Sequence, residues 1–218
     1  MKGEIMIYMI MCGGEYPRWD KPKQLTEIKG EPIVARTIRL LRECGVENIA
    51  ISSNNPNFEQ FGVPVVKNDK NDYVERAYND VDGSWCDCFY PTDEPTCYIM
   101  GDVVFSREAI KKIVETQTDS YEFFASAPPF DSRYIKDSAE PYAFKVKKYE
   151  SWKSYVDLCK MLDYYGYFKR KPLAWEFWQV VKGTPLNIID YTNYTVINDW
   201  TCDVDKPEDI EKIEKVME

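Results

Sequence analysis

Apolar residues run almost unbroken from Ile5 to Met11 and stop at Cys12-Gly13-Gly14. A short run that is apolar on both faces predicts a strand buried in the middle of a parallel sheet. Ile33, Val34, Thr37, Ile38, Leu40 and Leu41 then recur at helical spacing, with Pro32 at the first helical position and Gly45 just past the end. Residues 46–52 read as a second strand, so the first fifty residues form a βαβ unit, which implies parallel pairing. Further strands are predicted over 63–66, 97–100, 121–127, 143–146 and 194–198. Helices are predicted over 73–82, from a cap at Ser106 onward, over 151–165, over 173–181 and over 207–217. Proline-broken loops are expected over 90–95 and 128–141. The alternation places the chain in the α/β class, as one domain over 1–218 in which 128–195 elaborates the sheet on the acceptor side.

Composition narrows the chemistry. The chain has 218 residues and a net charge of −9, with no basic run, which argues against a nucleic-acid or anionic-membrane surface. Seven scattered cysteines, without a CxxC, fit free thiols in a cytoplasmic protein. There is no histidine at all. That removes Ser-His and Cys-His nucleophiles, histidine proton shuttles and histidine-bound zinc, and leaves oxygen ligands, which favour magnesium.

Three features fall at the ends of predicted strands: Gly13-Gly14 followed by Arg18, Lys21 and Lys23, then Asp102, then Asp203-Val204-Asp205. In a doubly wound sheet such strand ends gather at one crevice. Glycines let a ligand approach the backbone, and clustered cations suit a phosphate chain. Acidic residues from two distant segments suit a divalent ion that bridges phosphate oxygens.

The ordered set resembles the MobA-like NTP transferase and sugar nucleotidyltransferase superfamily. Cys12-Gly13-Gly14-Glu15-Tyr16-Pro17-Arg18 is similar to its glycine loop, and Gly30-Glu31-Pro32-Ile33-Val34 to the helix start that follows. Pro22-Lys23-Gln24-Leu25 is similar to the segment found in cytidylyltransferases of this group. Met100-Gly101-Asp102 resembles the metal-binding Gly-Asp, and Asp203-Val204-Asp205-Lys206-Pro207-Glu208-Asp209 the closing acidic element. The resemblance implies a three-layer Rossmann-like nucleotidyltransferase fold with a central, mostly parallel mixed sheet. It implies a nucleotide site of Cys12, Gly13, Gly14, Glu15, Arg18, Lys21 and Lys23, with Ser53 and Asn54 at the end of the second strand. Arg18 and Lys23 would be its catalytic cations, Lys21 being the alternative to Lys23. Asp102 and Asp205 would hold Mg2+, with Asp203 as the substitute ligand. The implied reaction moves NMP from an NTP, CTP favoured, to a sugar or alcohol phosphate and releases pyrophosphate. Such products feed polysaccharide or lipid-head-group assembly.

Two other readings remain open: a glycosyltransferase using Asp203-Val204-Asp205 as a DxD motif, and a nucleotide-binding module without turnover, suggested by Tyr16-Pro17 in the loop. The aromatic stretch Leu173-Ala174-Trp175-Glu176-Phe177-Trp178 reads mainly as core and subunit contact, which makes a homodimer plausible. A sharper reading makes Trp175, Glu176, Trp178 and Tyr194 a pocket for a cationic acceptor of the phosphocholine or aminophosphonate kind.

Overall fold

The computed structural model describes residues 6–13, 19–67, 84–130 and 138–217. The helix expected over 73–82 and the loop residues Gly14, Glu15, Tyr16, Pro17 and Arg18 lie outside them.

The first apolar run forms β1 (Ile7–Met11), which lies in the interior of a seven-stranded sheet. The antiparallel pair β2 (Glu27–Ile28) and β3 (Glu31–Pro32) leads into helix α1 (Ile33–Glu43), and β4 (Ile49–Ser52) and β5 (Val65–Val66) follow. β6 (Thr96–Met100) is buried at every position. Next come β7 (Val103–Val104), helix α2 (Arg107–Glu115), β8 (Tyr121–Ser126) and β9 (Glu140–Val146). The chain then adds helices α3 (Tyr149–Tyr164) and α4 (Ala174–Lys182), short strands β10 (Thr195–Val196) and β11 (Cys202–Asp203), and helix α5 (Asp209–Val216).

Strand order is β10-β8-β9-β6-β1-β4-β5. β1 pairs in parallel with both β4 and β6, so Ile10 lies level with Ile51 and Ile99, and all three are fully buried. Only β9 runs against the rest, antiparallel to β6 and β8. The expected mixed, mostly parallel sheet is therefore present. Its polarity has a functional result: the carboxyl ends of β1, β4, β6 and β8 share one edge with the amino end of β9.

Helices cover both faces. On β9, Phe144 packs against Trp152 of α3 and Phe177 of α4. The next residue, Lys145, points the other way, and its ammonium donates to the Ile113 and Thr116 carbonyls at the end of α2. Three layers follow from that alternation.

Several boundaries depart from the sequence reading: β4, for one, begins at Ile49 and not at 46, and β5 at Val65 and not at 63. Pro32 closes β3 and precedes α1 instead of opening it. β9 begins at Glu140, three residues earlier than expected, because Pro141 sits opposite Ala125 at a register shift where a missing N–H is tolerated. Gly45 does end α1, with φ of +80° and the paired bonds Gly45 N–H to Arg42 and Val46 N–H to Leu41.

Candidate active site

Where β1 and β6 end side by side, Gly101 donates its N–H to the Met11 carbonyl at 3.1 Å. A Cβ at Gly101 would lie 2.3 Å from that same oxygen, so no larger residue fits. The close approach fixes where Asp102 leaves the sheet. The Asp102 carbonyl accepts the Val204 N–H at 3.0 Å, and β7 pairs antiparallel with β11, Val103 opposite Asp203. A small ribbon thus carries the late acidic element, a hundred residues away in sequence, back to the end of β6. Thr201 holds the ribbon to α2 by accepting the Ser106 N–H at 3.0 Å, while Asp199 accepts the Ser106 hydroxyl at 2.5 Å.

Lys23 rises into this junction from the 3-10 turn Lys23–Leu25. It is 3% exposed, not a solvated surface charge. Its ammonium lies 2.6 Å from Asp102 Oδ2 and 3.9 Å from Asp205 Oδ1. Burial pulls its pKa down, but the charges and hydrogen bond of Asp102, with Asp205 and Asp203 beyond, leave it raised overall. Asp203 is shifted well above the usual carboxylate range, first by burial, then by Glu140, Asp205 and Asp102. Negative charge is in excess at this point. Asp205 itself is open to solvent, with its side chain 67% exposed.

Glu140, the first residue of β9, completes the cluster. It is buried, accepts the Tyr142 hydroxyl at 2.9 Å, and has a carboxylate oxygen within 4.8 Å of the Cys202 sulfur and an Asp203 oxygen. Sequence reading missed it, since Pro141 disguised the strand that presents it. The usable signal was the charged side chain at the foot of an apolar strand.

These groups open onto a cavity of about 620 Å3. Its lining includes Gly13, Lys23, Gln24 and Asp102 together with Glu140, Arg170 and Trp175. Arg170 is bonded to Glu176 at 2.6 Å, and Lys171 to Asp163 at 3.3 Å.

The structure brings together Gly13, Lys23, Asp102, Asp203 and Asp205 of the sequence-predicted residues. Cys12 is buried beside them, and its thiol is pushed up by burial and by Asp102. Lys21 is exposed and does not line the cavity, whereas Lys23 does. Ser53 and Asn54 follow β4 at the same sheet edge but do not line the cavity among the described residues. Of the aromatic stretch Leu173, Ala174 and Trp175 line it, and the Trp175 indole N–H donates to Ala139 at 3.3 Å. Trp178 donates to Asn193 at 3.0 Å and packs on Phe123, while Glu176 accepts the Leu173 N–H at 3.1 Å and serves the start of α4. Tyr194 packs edge-on against Trp175. The reason is that Ala174 to Val181 is buried all round, so only the first turn of α4 can face a ligand.

A cavity at the carboxyl ends of parallel strands is where open α/β sheets bind their ligands. The MobA-like NTP transferase domain matches residues 8–122, so the chain belongs to that family and is a nucleotidyltransferase. Its fold is also that of the CTP:phosphocholine cytidylyltransferase from Streptococcus pneumoniae, with TM-score 0.57, 16% identity, and 98% of this chain and 99% of that one covered. A second neighbour is a Bacillus anthracis structure described as a glucose-1-phosphate thymidylyltransferase in complex with a sucrose. There the TM-score is 0.53 at 14% identity, over 96% of this chain and 94% of the other. No curated protein matches the chain at a significant level. None of the described helices is long and apolar enough to cross a membrane.

Proposed function

We propose that the protein is a magnesium-dependent nucleotidyltransferase that moves NMP from an NTP to a phosphorylated small molecule and releases pyrophosphate. The observation that carries this reading is the meeting of Lys23, Asp102 and Asp205 at one cavity mouth.

The donor set fits a divalent cation. Asp102 and Asp205 converge on a positive charge already, the Lys23 ammonium, and Asp203 beside them bears the cost of uncompensated negative charge. All the carboxylate donors are oxygen, as magnesium requires. Bound there by Asp102 and Asp205, with Asp203 in reserve, the ion would neutralise charge on the triphosphate.

In the reaction an acceptor phosphate oxygen forms a bond to the α-phosphorus. The bond from that phosphorus to the bridging oxygen breaks, and its electron pair leaves with pyrophosphate. Lys23 is placed to stabilise charge gathering on the α-phosphate oxygens. Arg18 is proposed for the same service on the triphosphate. A phosphomonoester, with a second pKa of about 6, attacks without a protein base, which suits a chain lacking histidine. Arg170 and Trp175 line the same cavity from within 128–195, the part that would receive the acceptor.

The test is a matrix of CTP, UTP, ATP and GTP against phosphocholine and glucose 1-phosphate, with magnesium, read as pyrophosphate. Pyrophosphate that needs both substrates is the expected result, with CTP giving the most. Release of a nucleoside diphosphate would favour the glycosyltransferase reading instead, and nucleotide binding with no product at all would favour the binding module. Homodimer formation is part of the proposal, and light scattering at twice the chain mass is its check.

A further inference from the structure

Gln24 is 1% exposed, lines the cavity beside Lys23, and its carbonyl oxygen Oε1 has no hydrogen-bond partner. A buried acceptor left without a donor costs about as much as several good contacts gain, so native chains seldom keep one idle. Its neighbours do not meet the need. Lys23 spends its ammonium on Asp102 and Asp205, Arg170 is engaged by Glu176, and Lys171 by Asp163. Glu140, which also lines the cavity, is another acceptor, already taking the Tyr142 hydroxyl. Trp175 gives its indole N–H to the Ala139 carbonyl.

We infer that Gln24 is a specificity residue: its side-chain carbonyl accepts a hydrogen bond from a hydroxyl or amino group of a bound substrate. The donor cannot be a phosphate oxygen of an ionised phosphate, which has only lone pairs to offer. It belongs to the rest of the molecule, either the nucleoside of the NTP or the body of the acceptor. Position in the chain sharpens the role. Gln24 shares a 3-10 turn with Lys23, so a substrate gripped by the amide is registered against the charge beside the reacting phosphate. A site built to bond a donor rejects the analogue that lacks it, because the acceptor is then left buried and unpaired. This inference rests on the nucleotidyltransferase reading above.

The experiment compares the wild-type chain with Gln24→Met, which keeps length and volume and removes the orphaned carbonyl. Two quantities are read: the melting temperature of the free protein, and the shifts produced by magnesium with each NTP, by phosphocholine and by glucose 1-phosphate. The free variant is expected to melt about 2–4 °C higher, since an unsatisfied buried acceptor has gone. Affinity for the substrate that supplies the donor is expected to fall about tenfold while affinity for the other is kept. A shift lost for NTP alone assigns the donor to the nucleoside; one lost for an acceptor alone assigns it to that acceptor. A variant that melts lower than wild type, or that matches wild type with every probe that shifts it, overturns the inference. Wild-type protein that responds to no NTP defeats the reading beneath it instead, and this inference with it.

Discussion

A methyl group on Gly101 would press into the Met11 carbonyl, and the strand ends would have to part before Asp102 could keep its place. Gly101→Ala is therefore expected to cost about 1–3 kcal/mol, measured by urea unfolding, and to lower kcat because the displaced residue is adjacent to the proposed ligand. Lys23 presents the complementary case, in which charge and not volume decides. Lys23→Met should lower kcat about 10²–10³-fold with the circular dichroism spectrum unchanged; a variant that retains most of its kcat would remove Lys23 from the reaction. The thiols make a third residue-level contrast. Cys12, Cys86, Cys88, Cys97, Cys159 and Cys202 are buried, and burial pushes the Cys97 thiol up to about 12; Cys44, also raised by its partial burial, is the half-buried one that solvent reaches. Thiolate is the reactive form, so alkylation of native protein at pH 7.5 should label Cys44 first, and peptide mapping would reveal it. Early labelling of Cys88, which lines the cavity, would mean that reagent enters freely from that side.

Elements explain why some of this site was legible in the sequence and some was not. β1 and β6 announced themselves as short runs apolar on both faces, and their ends gave Gly13 and Asp102 directly. Asp203 and Asp205 were found by motif, yet their nearness to Asp102 depends on the two-residue ribbon of β7 and β11, too short to leave a periodic signal. Glu140 was overlooked because β9 runs against its neighbours and carries a proline at its second position. The aromatic stretch invited a ligand reading, although a helix apolar on every side has to be core before it can be pocket. Lys145 is another element-level device that sequence conceals. Its ammonium takes three carbonyls, those of Ile113, Val114 and Thr116, where α2 ends. Replacing it with methionine would leave those oxygens buried and without a donor. Lys145→Met should lose about 2–3 kcal/mol of stability in denaturant unfolding while substrate KM values stay unchanged. A neutral effect on stability would mean that water reaches the helix end.

At the scale of the molecule, the absence of histidine sets how activity must answer to pH. No side chain of the protein has an ordinary pKa between 5 and 8, so a bell-shaped profile has no histidine limb to draw on. The acceptor phosphate does titrate there, with a second pKa of about 6, and its dianion is the stronger nucleophile. Below that pH, kcat/KM for the acceptor should fall with unit slope, and the midpoint should belong to the acceptor. Measuring the profile with two acceptors whose second pKa values differ by about one unit tests this, since the acid limb should move by the same interval. A limb that stays in place when the acceptor changes would instead assign the titration to the protein. The raised Asp203, pressed by burial and by Glu140, would then be the group to examine.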